Sequence, residues 1–598
     1  MRRILFSSVW LLCFHFGVAQ VIPIDRTADW NLSASNHHFV EPDNVVNMLD
    51  FGALGDGVTD DYPAIQSAIE SFQGRSGIVF FPPGDYLIKS SITLTDSIVL
   101  QGESSEFSTL SFQFGQQEAN GINIHKSQTG NFVSVTGGME KGSSSLQVAD
   151  AATFAVGQTV EIRQENGDWD VVPISWADYS VGQITRIIQI DGDLLMLESP
   201  LRIELDPELN PEVRPLDPIV NAGVECLKIV RKDAPDTGSG YNISFAFASQ
   251  CRVLGVESDS SVGSHIHLTN SANVSIRGNY FHNAFTYDGT GTRGYGVTLS
   301  MHTSECLIEN NIFKKLRHAM MVKTGSNGNI FSYNYSIEPY RSETIPDFSG
   351  DISLHGHYAF ANLFEGNIVQ NIIVDHYWGS SGPWNTFFRN RAELYGLFMT
   401  SSDTTMTNDQ NFVGLEIPNT NLLYGLYFLT GQDHFEYGNN VRGNMVPPNT
   451  DSLPDASYYL LQKPAFWKND IWPSIGTPVA FNTGSIPAKD RYVSGSTLTV
   501  CPTDSIPTFM QDSGQRPDFL IWPNPATDFV FIRADQIGAV EIQLLSLHGQ
   551  IIVKAKEHPD GQNPISLTIP SGVKPGYYFL IINQGNQRTI HKLMITKQ

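Results

Sequence analysis

Cysteine is scarce in this sequence, with five in 598 residues. Cys13 falls in the leader described below, and Cys226, Cys251, Cys306 and Cys501 are too scattered for a disulfide framework, which leaves buried thiols with one bridge open. Positive charge is also short. Thirty-seven Lys and Arg stand against 61 Asp and Glu, a formal net charge of −24, which excludes nucleic acid as a partner because phosphate binding requires a basic face. Long apolar runs are missing too: after the leader nothing approaches the roughly 20 apolar residues of a membrane span, so no transmembrane segment is expected in the mature chain. The one apolar run, Ile4 to Phe16, follows Arg2 and Arg3 and leads into Gly17-Val18-Ala19, the pattern of a signal peptide over residues 1–19. The chain of 598 residues is 41% hydrophobic, enough for a large core and more than one domain.

What the sequence does have is punctuation. Gly52, Gly55 and Gly57, interleaved with Asp50, Asp56, Asp60 and Asp61, predict a turn. Asp60 or Asp61 can cap a helix that Pro63 opens and whose apolar face is Ile65, Ala68, Ile69 and Phe72. Gly77-Ile78-Val79-Phe80-Phe81-Pro82-Pro83-Gly84-Asp85-Tyr86 then predicts a strand, a proline corner and a second strand. This run resembles the N-terminal signature of the pectate lyase superfamily, the rhamnogalacturonase and epimerase-like right-handed parallel β-helices. The resemblance implies a helix capping the first coil. In that family the motif is structural, so it implies the fold and leaves the reaction open.

Repeats point the same way without the family. Asn279, Asn311, Asn334, Asn367 and Asn390 end similar phrases at spacings of about 32, 23, 33 and 23 residues, the range of solenoid coils whose faces are buried only by their neighbours. Such asparagines are expected to form a ladder at one corner, their side chains bonded to backbone. Between about residues 131 and 215 short strands with Gly and Asp turns replace the pattern and predict a small inserted β-barrel. The β-helix is therefore expected over 43–501 with this insertion, followed by a linker at 502–517. From 518 to 598 the Pro523-Asn524-Pro525 opening, Gly549-Gln550, Gly576-Tyr577-Tyr578 and the Lys-flanked final strand resemble the C-terminal sorting domain of the type IX secretion system. That resemblance implies a C-terminal β-sandwich, the secretion machinery as a partner, and export to the surface or surroundings of a Gram-negative bacterium. The fold class read from all this is all-β.

For a site, counting thirteen residues back from each ladder asparagine aligns Ile266, Thr298, Met321, Leu354 and Tyr377. If this set points inward, alternation puts His265, His267, Val297, Leu299, Met320, Val322, Ser353, His355, His376 and Trp378 outward. Lys323 then falls inward unless its strand has already turned. Half of the 16 histidines lie between His265 and His376, a titratable stripe. The loops 285–294, with Asp288 and Arg293, and 337–347, with Arg341, Glu343 and Asp347, would wall a groove beside it. Lys314, Lys315, Arg317, His318 and Lys323 form a basic island in an acidic protein.

This pattern suits eliminative cleavage of an acidic polysaccharide. A lyase neutralises the sugar carboxylate, removes the neighbouring proton and protonates the leaving oxygen. Lys323, Arg317 and His318 are candidates for the first two roles, with His355 or His376 as acid. Arg293, His357, Trp378 and Trp384, together with Arg317, are candidates to bind substrate, and Tyr377 adds a further aromatic face. A hydrolase would need paired carboxylates, for which Asp351 and Asp375 are the best placed and Asp288 and Glu305 further options. His355-x-His357 with His376 and Asp351 or Asp375 is a weak metal pattern, and calcium, used by some pectate lyases, stays open. A non-catalytic glycan-binding surface protein is the third class.

Overall fold

The first coil shows how the N-terminal motif becomes structure. In the computed structural model Asp56–Asp60 is a strand, Tyr62–Ser71 an α-helix, and Gly77–Phe81 and Gly84–Ile88 the next strands. Asp60 Oδ1 accepts from Tyr62 N at 3.2 Å. The Asp61 carboxylate turns back instead to Leu54 N (2.8 Å) and Gly55 N (3.1 Å), so it fastens the turn and does not cap the helix. Ile65, Ala68, Ile69 and Phe72 are buried and close the end of the core, which has no further coil to cover it. The structure describes residues 20–501, except 36, 127–128, 236–239, 345–348, 469–470 and 496, and beyond 518 the strands and short connections between 519 and 595. The leader, the linker, Asp347 and the Pro523, Gly549 and Lys597 segments lie outside the described residues.

Each later coil contributes three parallel strands. The first face is a 12-stranded sheet running from Val45–Asn47 to Phe435–Tyr437. The second and third faces merge into one 21-stranded sheet where strands such as Ile368–Val374 and Arg391–Met399 continue around the corner. On the third face lie Ile122–His125, Ile243–Ala246, Ser264–Thr269, Tyr295–Ser300, His318–Val322 and Ile352–Leu354. Inside, Phe331, Phe364, Phe387 and Phe412 stack with ring centroids 5.1, 5.1 and 5.2 Å apart. At the corner between the first and second faces the predicted ladder is present. Asn334 Nδ2 donates to Asn367 Oδ1 and to Ile308 O, both at 2.9 Å, and the same pattern runs through Asn279, Asn311, Asn367 and Asn390. A second ladder, Asn329, Asn362 and Asn385, stands at the corner between the third and first faces.

The strand register differs from the thirteen-residue alignment. Ile266 pairs with Val297, then Met320, Ile352 and Ile372, which lie 13, 14, 14, 15 and 18 residues before their ladder asparagines. The turn between the third and first faces lengthens along the stack, so a fixed count slips. A one-residue slip exchanges the two faces of a strand. Val297, Leu299, Met320 and Val322 therefore pack in the core, while Thr298 and Met321 share the outer column of His267. Tyr377 is 71% exposed in a turn.

The insertion is a closed six-stranded barrel of Val133–Gly137, Ser145–Val148, Thr159–Arg163, Gly182–Asp191, Leu194–Leu197 and Glu212–Leu216. It docks on the corner carrying the second ladder: Asn327 Nδ2 donates to Gly182 O at 2.8 Å, and His302 Nδ1 lies 2.7 Å from Glu161 Oε1. The coils end near residue 446, earlier than expected. From there to Cys501 the chain runs back over the first face: Tyr459 Oη donates to Glu309 Oε1 (2.6 Å), Arg491 to Asn310 Oδ1 (2.7 Å) and Val500 N to Gly278 O (2.7 Å). Cys501 is bridged to Cys226, and Cys251 and Cys306 are buried free thiols. The C-terminal part is a separate unit in which a three-stranded and a four-stranded antiparallel sheet share the core of Val530, Ile542, Leu580 and Leu593.

Candidate active site

Strand pairing carries on one residue past the formal end of the third-face strands. Lys323 N donates to Leu299 O, His355 N to Val322 O, Asp375 N to Leu354 O and Thr400 N to Val374 O, at 2.9–3.0 Å. Since Val322, Leu354 and Val374 point into the core, the next residue on each coil points out. Lys323, His355, Asp375 and Thr400 are thus one outward column, stepping about 4.8 Å per coil.

Part of this column lies in a groove of about 210 Å³ lined by Arg317, His318, Arg341, His355, Asp375 and Tyr377, with Ile373 and Phe398 at its apolar floor. His355 Nδ1 is 2.5 Å from Asp375 Oδ2, and the other carboxylate oxygen accepts from Tyr377 N at 3.1 Å. The carboxylate fixes the His355 ring with Nδ1 as donor and leaves Nε2 for chemistry. His318 Nδ1 is 3.2 Å from Gly350 O, a group that only accepts, so the proton sits on Nδ1. Burial pushes His318 well below its usual range, helped by Arg317 and His355, so the ring is neutral with its Nε2 lone pair available. The two rings are 6.1 Å apart. Tyr295 lies edge-on to His318 at 4.8 Å, and burial pushes its phenol up. Arg317 is anchored on Asp288 O (2.8 Å) and Gly291 O (3.0 Å). The two predicted loops pack on each other: Tyr287 and Tyr340 meet at 4.9 Å, and Gly289 N donates to Glu343 Oε1 at 2.5 Å.

The other predicted residues lie elsewhere. Asp351 is buried in a corner, where its carboxylate accepts from Ser336 Oγ, Gln370 N and Asn371 N at 2.6–3.2 Å, and burial pushes it up to about 6. Asp288 pairs with Arg293 at 3.1 Å, which occupies both, and Glu305 is buried on Arg202. His376 rests on Thr400 Oγ1 at 2.5 Å. His357 is sealed under the barrel with Nε2 3.3 Å from Val172 O. It diverges from His355 because Gly356 turns the chain at φ +75°, where a Cβ would lie 2.7 Å from Gly379 O. Trp384 packs under Lys141 on the barrel side, and Lys314 pairs with Glu338. Arg341 reaches the groove from the loop expected to wall it, and Tyr295 is the addition that the alignment missed.

The histidine stripe is likewise dispersed. His265, at an inner corner, donates from Nε2 to Asn283 O (3.0 Å) and accepts at Nδ1 from Ser258 Oγ (2.8 Å), and burial pushes it down to about 3. Unfolded, the ring takes a proton near 6.5; folded, only near 3. Between those values the unfolded state holds more protons, so this contribution is complete above the unfolded value and lost as pH falls. Against a His265→Gln variant, wild-type unfolding free energy in urea should lose about 1.4 kcal/mol more per pH unit of acidification across this window. Parallel pH profiles would refute it.

Among the described residues no group of three or more His, Cys, Asp or Glu is arranged to hold a metal. The groove does not fit calcium, which takes six to eight oxygens. Its one described carboxylate, Asp375, is engaged by His355.

Stacked three-strand coils with an outer groove define a right-handed parallel β-helix protein. Residues 45–167 match the family model described as rhamnogalacturonase A/epimerase, pectate lyase-like, and residues 520–596 match the secretion system C-terminal sorting domain. Residues 45–167 are thus pectate lyase-like, and residues 520–596 form a C-terminal sorting domain. Among curated proteins it is similar to the mannuronan C5-epimerase AlgE6 of Azotobacter vinelandii, 44% identical over 64 residues, and to plasmin and fibronectin-binding protein A of Streptococcus pneumoniae, 34% identical over 131 residues. These matches span 9% and 22% of this chain, and only 7% and 15% of those proteins. Similar solved structures include the tailspike protein gp49 of Pseudomonas phage LKA1, with 14% identity, TM-score 0.44 and coverage of 62% of this chain and 64% of that one. An exopolygalacturonase from Thermotoga maritima has 14% identity, TM-score 0.33 and coverage of 67% and 88%. Among the described residues no helix is long and apolar enough to cross a membrane.

Proposed function

We propose that this protein is exported by the type IX machinery of a Gram-negative bacterium and cleaves an extracellular acidic polysaccharide by β-elimination. The observation that carries the reading is the groove, where a neutral His318 with a free Nε2, the His355–Asp375 pair and two arginines converge within an acidic protein. Arg317, joined by Arg341 as that side chain exchanges its 3.1 Å pair with Glu343 for substrate, neutralises the carboxylate of a uronate, which acidifies the C5 proton. His318 Nε2 takes that proton. The electron pair forms the C4–C5 double bond as the C4–O bond breaks, and protonated His355 gives its Nε2 proton to the leaving oxygen. Hydrolysis is less well served, because Asp375 is the one carboxylate among the described lining residues and a second is needed.

The named epimerase relatives favour a second reading with the same first step, in which the proton returns to the opposite face of C5 and the chain is not cut. One experiment separates the two. Purified protein is incubated in deuterated water with alginate, pectate, other uronate glycans and neutral glycans. Ultraviolet absorbance of an unsaturated uronate selects elimination; C5 deuteration without it selects epimerisation. Reducing ends without either select hydrolysis, and binding without conversion selects a glycan-binding surface protein.

A further inference from the structure

Next to the groove the outward column carries a cation with no hydrogen-bond or ion-pair partner among the described residues. This is Lys323, which occupies the coil before His355. Burial pushes its pKa down with no carboxylate offsetting the effect. An unpaired ammonium on a half-buried face carries a desolvation penalty that an anionic ligand would relieve. The wall above it comes from the inserted barrel. Trp176, in the 3-10 turn Ser175–Ala177, lies 5.8 Å from Lys323 Nζ, 5.1 Å from the His357 ring and 5.6 Å from the Trp378 ring. It is nevertheless 45% exposed. His357 and Val172 fix the loop that carries it, so the ring is held in place while part of its surface meets solvent.

We propose that Trp176 and Lys323 form a binding subsite for an acidic sugar one residue removed from the reacting one, Trp176 stacking on the ring and Lys323 taking its carboxylate. The step from Lys323 to His355 is one strand spacing, about 4.8 Å, close to the length of a pyranose ring. A glycan laid along the helix axis therefore meets the two positions in succession. The inserted barrel thereby becomes part of the substrate surface, and Lys323 holds substrate without taking part in proton transfer. This rests on the reading of the groove as a site for acidic polysaccharide.

The test uses the full exported chain with tetra- to octasaccharides of galacturonate and mannuronate, each as free acid and as methyl ester, and with carrageenan oligosaccharides as sulfated comparators, measuring binding by calorimetry and turnover kinetics. Trp176→Ala should weaken binding of acid and ester alike by about tenfold, and Lys323→Met should weaken the acid alone by a similar factor. In both, KM should rise more than kcat falls. Trp176→Phe should retain most of the affinity. Because Trp176 is partly exposed, its variant keeps the test valid if Lys323→Met misfolds. Wild-type binding of the acids with neither variant altered overturns the subsite and leaves the groove reading standing. Loss confined to a sulfated polysaccharide such as carrageenan overturns the uronate assignment, and wild-type protein that binds no acidic glycan overturns the groove reading itself.

Discussion

Replacing His355 by alanine should lower kcat on the cleaved glycan at least about a hundredfold, the typical loss when a positioned acid or base is removed, with the melting temperature almost unchanged. The ring sits at a groove edge, and its one strong bond is to Asp375 at 2.5 Å. Little packing is lost with it. Asp375→Asn should reproduce much of the effect, since the amide can still accept from Tyr377 N but no longer stabilises a charged imidazole. The two changes should be far from additive, because they remove parts of one unit. A large fall in melting temperature with a proportionate fall in activity would show that His355 serves packing.

The second large effect is on stability. Asn334→Ala removes two donors, to Asn367 Oδ1 and Ile308 O, and an acceptor for Asn311 N (3.0 Å) and Asn311 Nδ2 (2.9 Å). Asn311 and Asn334 are fully buried, so water does not replace what is lost. Unsatisfied buried groups cost about 1–3 kcal/mol each, so the loss should be about 4 kcal/mol, a large share of the 5–15 kcal/mol typical of a folded protein. Denaturant titration followed by tryptophan fluorescence checks it. A change under about 1 kcal/mol would mean that water or a neighbouring backbone group has taken over these bonds.

The ladder was legible because a solenoid repeats both its spacing and its corner chemistry, so five asparagines were visible without coordinates. The second ladder carried the same signal: Asn329, Asn362 and Asn385 follow the 33- and 23-residue spacing of Asn334, Asn367 and Asn390. The site was harder to see, because its residues stand where regularity ends. His355 and Asp375 follow the last residues of their strands, and a turn of changing length separates each from the nearest ladder asparagine. A constant offset therefore brought in Val297 and Met320, which are interior, and placed Lys323 inward. Trp176 comes from a separate barrel that no coil register can place.

The segment from residue 447 to Cys501 alters what kind of object the solenoid is. A bare stack unravels from its ends, since each coil answers only to the next. Here Tyr459 clasps Glu309 and Ser332, Thr499 reaches Ser105, and Cys501 is tied to Cys226. On the same molecule the opposite terminus runs from Arg26 at Asn411 past Trp30 at Ala361 to Glu41 at Arg252. Two such longitudinal ties cross-brace early coils to late ones, so the coils they hold cannot peel away without breaking contacts far along the rod. Outside the cell, where proteases sample frayed ends, such ties raise the cost of opening the coils they reach.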